Sequence, residues 1–353
     1  MKNNRIENIK GSVCLFFAFA LAGTSVISAR YLSGKLGVFT ITAVSLLLAF
    51  ALLAALCAPK IVSTAKEMGV KEWGMLFLQA FFGIFLFRMF LLQGLLRTST
   101  AEAGILTGAA PALTALLALT FLKERVHAKG IVGIFSTVGG IFLIQGVVST
   151  GGQFPVTHLL GNLLVLCAAA SESTFNILSR LHHIRKTERQ GVPPEQARSE
   201  SSAAKSFDPI VQTAFVTGIA GLLSTIPAFL EKPLPALALL GVREWAAIVW
   251  YGVFVTALAF IFWYAGIKRS NASKAAAFSG MMPLMGLLLS VTLLHEHTSW
   301  PQWTGGALII LGMILIGSRS AGGGKEGAFA GHADKSIICE FGEVSMRQYN
   351  KMK

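Results

Sequence analysis

Gly69-Val70-Lys71-Glu72-Trp73 recurs 172 residues later as Gly241-Val242-Arg243-Glu244-Trp245, and the organisation of the whole chain follows from that recurrence. The correspondence runs without a gap for roughly 76 residues and holds about 21 identities. Along it Gly94 meets Gly266, Arg97 meets Arg269, Gly108 meets Gly280, Pro111 meets Pro283, Glu124 meets Glu296, Gly133 meets Gly305 and Gly140 meets Gly312. The preceding segment repeats at an offset of 150, through Gly11 and Gly161, Thr24 and Thr174, Ile27 and Ile177, and Arg30 and Arg180. The two offsets differ by a polar insert around 182–206.

Each copy is built from long apolar runs. With 54% apolar residues, 13% charged residues and a mean hydropathy of +0.64, the 353-residue chain carries more apolar surface than soluble domains can hide. Eight runs free of charge (11–29, 36–58, 103–122, 130–144, 209–230, 245–267, 275–294 and 300–318) and two with a single charge (73–96 and 159–179) read as ten transmembrane helices. The predicted fold is therefore an all-α membrane protein of two five-helix repeats, 1–148 and 159–318. A cytoplasmic linker at 182–207 and a flexible cytoplasmic tail at 319–353 complete it. Five is odd, so the second repeat enters the membrane from the opposite side and both termini are cytoplasmic.

The charges agree with inversion. Lys123 and Arg125 in the first repeat become His295 and His297 in the second, while Glu102 becomes Lys274. The net charge of +13 is distributed by topology, about 24 of the 30 Lys and Arg falling in cytoplasmic segments. A nucleic-acid partner would need those charges on one solvated surface, so none is expected. Cys14, Cys57, Cys167 and Cys339 have no paired spacing, and neither a disulfide framework nor a metal centre is implied. The first helix resembles a signal peptide, but its counterpart at the sixth helix argues against cleavage.

The stretches from Pro111-Ala112-Leu113-Thr114-Ala115-Leu116-Leu117 to Leu122-Lys123-Glu124, and from Pro283-Leu284-Met285-Gly286-Leu287-Leu288-Leu289 to Leu294-His295-Glu296, resemble the duplicated signature of the EamA family. That family is the ten-helix branch of the drug/metabolite transporter superfamily. Gly305-Gly306-Ala307-Leu308-Ile309-Ile310-Leu311-Gly312 is similar to its closing helix. The resemblance, which covers about 11–318, implies a secondary carrier of small metabolites in the plasma (inner) membrane, often an exporter, with its substrate path between the halves. Members often carry an Arg in the second helix; residues 39–53 hold none, so no substrate role resting on it carries over.

Candidate site residues come from what is unusual inside the spans. Arg88 and Glu172 are the only charges well inside them, and even low estimates for a central charge are ~2.5 to 3.5 kcal/mol. Counting about 1.5 Å per residue gives them comparable depth, so they could pair. Their repeat counterparts, Phe260 and Ala22, are apolar, which sets these charges apart from the duplicated scaffold. Asn176 and Ser179 extend a polar stripe from Glu172 along the sixth helix, and Glu172 is the candidate carrier of a coupling proton. Pro111 and Pro283 free the carbonyls of Thr107 and Ser279, each followed by Gly108 or Gly280, which gives two weak polar spots that serve as hinge or merely as packing kink. Tyr264, beside Trp263, is a candidate cavity residue, with core packing the competing reading. The paired glycines Gly133, Gly140, Gly305 and Gly312 suit close helix contact, within one protomer or across a homodimer.

The leading function is transport of a small polar metabolite, an amino acid or similar, without any cofactor. A membrane-embedded enzyme lacks support, since the only aspartates are Asp208 and Asp334 and no intramembrane acid pair or nucleophile with a base assembles. A channel would need a polar pore lining, and the spans are sparse in polar residues.

Overall fold

The computed structural model describes residues 2–121, 128–144, 156–189, 209–269 and 278–317. The loop containing Glu124, the segments holding Lys274 and most of the linker, and the tail with Cys339 lie outside them. The elements are α1 (Lys2–Gly23), α2 (Ser25–Leu32), α3 (Val38–Glu67), α4 (Val70–Ala80), a π-helical segment (Phe81–Leu86), α5 (Phe87–Leu95), α6 (Thr100–Thr107), α7 (Ala110–Phe121), α8 (Ala128–Ile144) and α9 (Val156–Arg189). After the linker come α10 (Pro209–Ala228), a 3-10 turn (Phe229–Glu231), α11 (Pro233–Ala238), α12 (Val242–Val249), a second π-helical segment (Trp250–Leu258), α13 (Ala259–Arg269), α14 (Met281–Leu293) and α15 (Trp300–Gly317).

Among the described residues six tracts are long and apolar enough to cross a membrane: Ile9–Leu32, Val38–Glu67, Val70–Leu95, Thr100–Thr120, Ile210–Glu231 and Val242–Gly266. Ala128–Ile144, Met281–Leu293 and Trp300–Ile316 are shorter apolar helices. Large apolar side chains such as Phe135, Phe142, Ile226 and Leu230 are exposed on the outside, which suits a lipid surround rather than water.

The repeated pentapeptide has a local job. The Glu72 carboxylate accepts the Gly69 N–H at 3.0 Å and the Glu244 carboxylate accepts the Gly241 N–H at 3.1 Å, so each glutamate caps the start of its helix. The π-helical segments also correspond, since Leu86 and Leu258 end them and stand 172 residues apart. Two chain breaks refine the proline reading. The tract Thr100–Thr120 is interrupted at Gly108–Ala109 and its repeat counterpart at Gly280, so Pro111 and Pro283 sit in the first turn of the restarted helix, where a missing N–H costs nothing. At its far end α9 continues to Arg189, eight residues into the segment read as linker.

Helices pair across the two sequence copies: α1 with α13, α3 with α10, α5 with α9, α6 with α14 and α8 with α15. The closest approaches are made where glycine removes a side chain. A Cβ on Gly133 would lie 2.8 Å from the Gly312 carbonyl, and one on Gly140 would lie 2.6 Å from the Gly305 carbonyl, so α8 and α15 run antiparallel within one protomer. The repeat offset exchanges those two contacts, and at the midpoint Ser136 donates to the carbonyl of its own counterpart, Leu308, at 2.7 Å. Likewise Gly94 packs on Val165 and Gly266 on Leu15, again a pair exchanged by the repeat. The main core cluster draws Ile41, Leu92, Leu106 and Val165 together with Tyr251, Leu287 and Ile309.

Candidate functional site

Arg88 lies on α5 just past the first π-helical segment and is 6% exposed. Its Nη1 donates to Ser45 Oγ on α3 at 2.8 Å, and its Nη2 donates to Thr256 Oγ1 in the second π-helical segment at 2.5 Å. The Tyr251 ring covers the guanidinium with its centroid 4.0 Å from Cζ. Both hydroxyls spend their single proton elsewhere. Ser45 Oγ donates to the Ile41 carbonyl at 2.7 Å, and Thr256 Oγ1 donates to the Tyr251 carbonyl at 3.0 Å, so only lone pairs face Arg88.

The second π-helical segment builds half of this site. Its wider turn carries the five-residue step from Tyr251 to Thr256, which brings ring and hydroxyl to the same guanidinium. Gly252 lies against the Ser45 backbone so tightly that no Cβ fits there, which fixes that segment on α3. The result is asymmetric: three groups from elsewhere converge on one cation, and no described carboxylate lies within 4 Å of it. A guanidinium has five N–H groups, and two are used by the hydroxyls, so the site has donors in hand for an oxygen anion.

Glu172 is not Arg88's partner. It sits half-buried on α9 without a hydrogen bond or ion pair among the described residues, while its neighbour Ser173 donates to the Ala110 carbonyl at 2.9 Å. The face of the third tract that meets α9 is marked by Gly83 against Phe175 and Gly94 against Val165. On α5 Arg88 is six residues from Gly94, roughly 120° around the helix, and so points toward α3 and Tyr251 instead. Equal depth did not mean equal direction.

The remaining candidates scatter. Asn176 is half-buried on α9, one turn from Glu172, and the Ser179 side chain lies outside the described set. Thr107 is buried and donates to the Gly104 carbonyl at 2.7 Å; Ser279 stands at the second break, half-buried. The two broken tracts cross where a Cβ on Gly104 would lie 3.2 Å from Gly286 Cα. Tyr264 packs against Trp263, centroids 4.8 Å apart, and against Phe260. Ser45, Tyr251 and Thr256 were not among the residues that sequence reasoning singled out. A hydroxyl in an apolar run was the one available signal, and such hydroxyls are common.

The sequence profile of the EamA-like transporter family matches residues 9–146 and 201–318. The chain belongs to that family. As an EamA-like protein it is a multi-pass integral membrane transporter. It is 27% identical over 307 residues to the uncharacterized transporter YetK of Bacillus subtilis (strain 168), covering 86% of this chain and 85% of that one. It is 24% identical over 249 residues to a probable terminal-alkyne amino-acid exporter of Streptantibioticus cattleyicolor, covering 70% and 74%. A protein of known crystal structure shares the EamA-like fold at a TM-score of 0.54 and 20% identity, over 86% of this chain and 95% of the other.

Proposed function

We propose that this EamA-like protein is a secondary carrier that exports a small polar metabolite of the amino-acid type across the plasma membrane. It works by alternating access between two inverted five-helix halves, with both termini in the cytoplasm. The observation that carries the proposal is Arg88, a buried cation held by hydroxyls and an aromatic face, with no counter-ion among the described residues. Leaving a charge unmatched in a span is costly, and a substrate carboxylate would supply what is missing. The groups around it come from both sequence copies, Ser45 and Arg88 from one and Tyr251 and Thr256 from the other, as a site between moving halves requires.

Several observations support the inverted layout. The family profile matches twice, the glycine contacts are exchanged by the repeat offset, and α8 runs antiparallel to its counterpart α15. The relative named as an amino-acid exporter supports both substrate class and direction. Glu172 is the proposed coupling group, a carboxyl without a partner among the described residues, on a helix that touches both π-flanked α5 and the restarted α7.

The test is counterflow in proteoliposomes loaded with candidate amino acids. A carrier gives saturable uptake accelerated by substrate on the far side, whereas a channel gives no trans-acceleration. Arg88→Ala is expected to lower kcat/KM for the carboxylate substrate by at least about tenfold, the loss of one charge-assisted contact. Wild-type activity in R88A would overturn the assignment.

A further inference from the structure

In the topology proposed above, four carboxylates of the chain fall in external segments: Glu102, Glu231, Glu244 and Glu296. Each of the four bonds across the boundary between the halves. Glu231 accepts the Phe39 N–H at 3.1 Å, the Thr40 N–H at 2.8 Å and the Thr40 hydroxyl at 2.8 Å, which caps the start of α3 from the other half. Glu296 does the same for α6, accepting the Thr100 N–H at 3.1 Å and the Ala101 N–H at 3.0 Å. Glu244 accepts from Lys35 Nζ at 2.7 Å and from the Tyr31 hydroxyl at 3.4 Å.

Glu102 runs the other way, from the first half to the second. Buried at 9% exposure, it accepts from Asn162 Nδ2 at 2.8 Å and from Gln302 Nε2 at 2.9 Å, besides Thr98 Oγ1 of its own half at 2.8 Å. Thr98 also bonds Asn162, and half-exposed His158 has its Nδ1 3.9 Å from the Glu102 carboxylate.

The backbone is shaped to deliver these groups. His295 adopts a left-handed conformation at φ 54°, and across it the Glu296 N–H returns to the Ser290 carbonyl at 3.1 Å. That turn aims the next side chain at the α6 terminus. Lys232, at φ 53°, makes a left-handed turn directly after Glu231. Residues other than glycine take this conformation at a cost, so both turns are held by what they position.

We propose that these four carboxylates are the external gate of the carrier: they clamp the two halves shut on that face, and must release together for Arg88 to meet the outside. The proposal rests on the alternating-access reading. Helix N-termini and amides stripped of a carboxylate regain hydrogen bonds from water only when the face opens, so the clamp is bistable rather than graded. Glu102 and Glu296 are its centre, because they join the broken α6 tract to α9, α14 and α15.

The experiment uses the full chain with Cys14, Cys57, Cys167 and Cys339 replaced by serine, and Ser45→Cys as a reporter beside Arg88. A membrane-impermeant maleimide is applied to right-side-out and to inside-out vesicles. Combining Glu102→Gln with Glu296→Gln is expected to raise labelling from the outside at least about tenfold, with no rise from the inside. An unchanged external rate, or an equal rise from both faces, would overturn the gate, the latter making the glutamates general braces. Should the double variant fail to fold, Thr100→Cys with Glu296→Cys decides. Joining them by a reducible thiol cross-linker must lower external labelling at position 45, read there by peptide mapping so that thiols freed at 100 and 296 are not counted, and reduction must restore it. Counterflow of the wild-type chain, with Ser45 and all four glutamates intact, separates the two ideas: labelling that responds while the wild type shows no counterflow leaves the gate standing and removes the carrier.

Discussion

A guanidinium inside a span persists only where the protein replaces part of its hydration, and around Arg88 two lone pairs and one ring face do so without neutralising its charge. Thr256→Val keeps the shape and removes the lone pair. We expect it to destabilise the protein by ~1 to 3 kcal/mol, the cost of an unpaired buried donor, seen as a lower unfolding temperature in detergent. Substrate affinity should fall as well, because the guanidinium loses its fixed orientation. Glu172→Gln acts differently: it keeps the size and hydrogen-bonding edge but removes the titratable group. Counterflow and net transport measured between about pH 5 and 9 should lose most of their pH dependence; an unchanged profile would exclude Glu172 from coupling. Both charges were legible in the sequence because a charge interrupts an apolar run. Their separation was not, because the rise per residue gives depth but no azimuth, and a π-helical turn, which alters the azimuth of everything beyond it, leaves no mark in composition.

Among elements, the glycine contact of α8 with α15 is the most exacting. A Cβ at Gly140 would lie 2.6 Å from a carbonyl oxygen and 2.8 Å from Ile309 Cγ1, and neither the helix backbone nor the packed isoleucine can yield far. Gly140→Leu is therefore expected to cost ~1 to 3 kcal/mol or more and to appear as lower folded yield and earlier thermal unfolding, whereas Gly139→Ala, which meets nothing within 4 Å, should be silent. Small residues seven apart were visible in the sequence; that they meet inside one protomer follows only from the packing. At the surface, the Glu244 carboxylate beside Lys35 holds that ammonium above its ordinary 10.5. A group whose value rises on folding stabilises the fold below its unfolded value and loses that contribution as pH climbs through the folded one. The Lys35 bond should thus be intact at neutral pH, lost in alkali above the usual lysine range and lost in acid below the usual carboxylate range, where Glu244, held down by Lys35, takes up a proton; Lys35→Met should remove it at every pH.

For the molecule as a whole, the repeat was the most legible feature, because duplication preserves the residues that set geometry: the capping glutamates, the glycines at close contacts and the prolines at restarted helices. What duplication did not preserve is where function concentrates. Arg88 faces a phenylalanine counterpart in the alignment, and the groups that hold it have no matching set in the other copy. The inverted layout makes a demand that an ordinary tandem duplication would not. Arg97 and Arg269 are the same residue at the same position of the two copies, both exposed and each bonded within its own helix, to the Gln93 and Ala265 carbonyls. If the halves are opposed, the two must lie on opposite faces of the membrane. Arg97→Cys should react with an impermeant thiol reagent in intact cells, and Arg269→Cys only after the membrane is permeabilised. Reaction of both from one side would mean that equivalent helices cross in the same direction, and the antiparallel contact of Gly133 with Gly312 and Gly140 with Gly305 could not then be formed by the protein in the membrane.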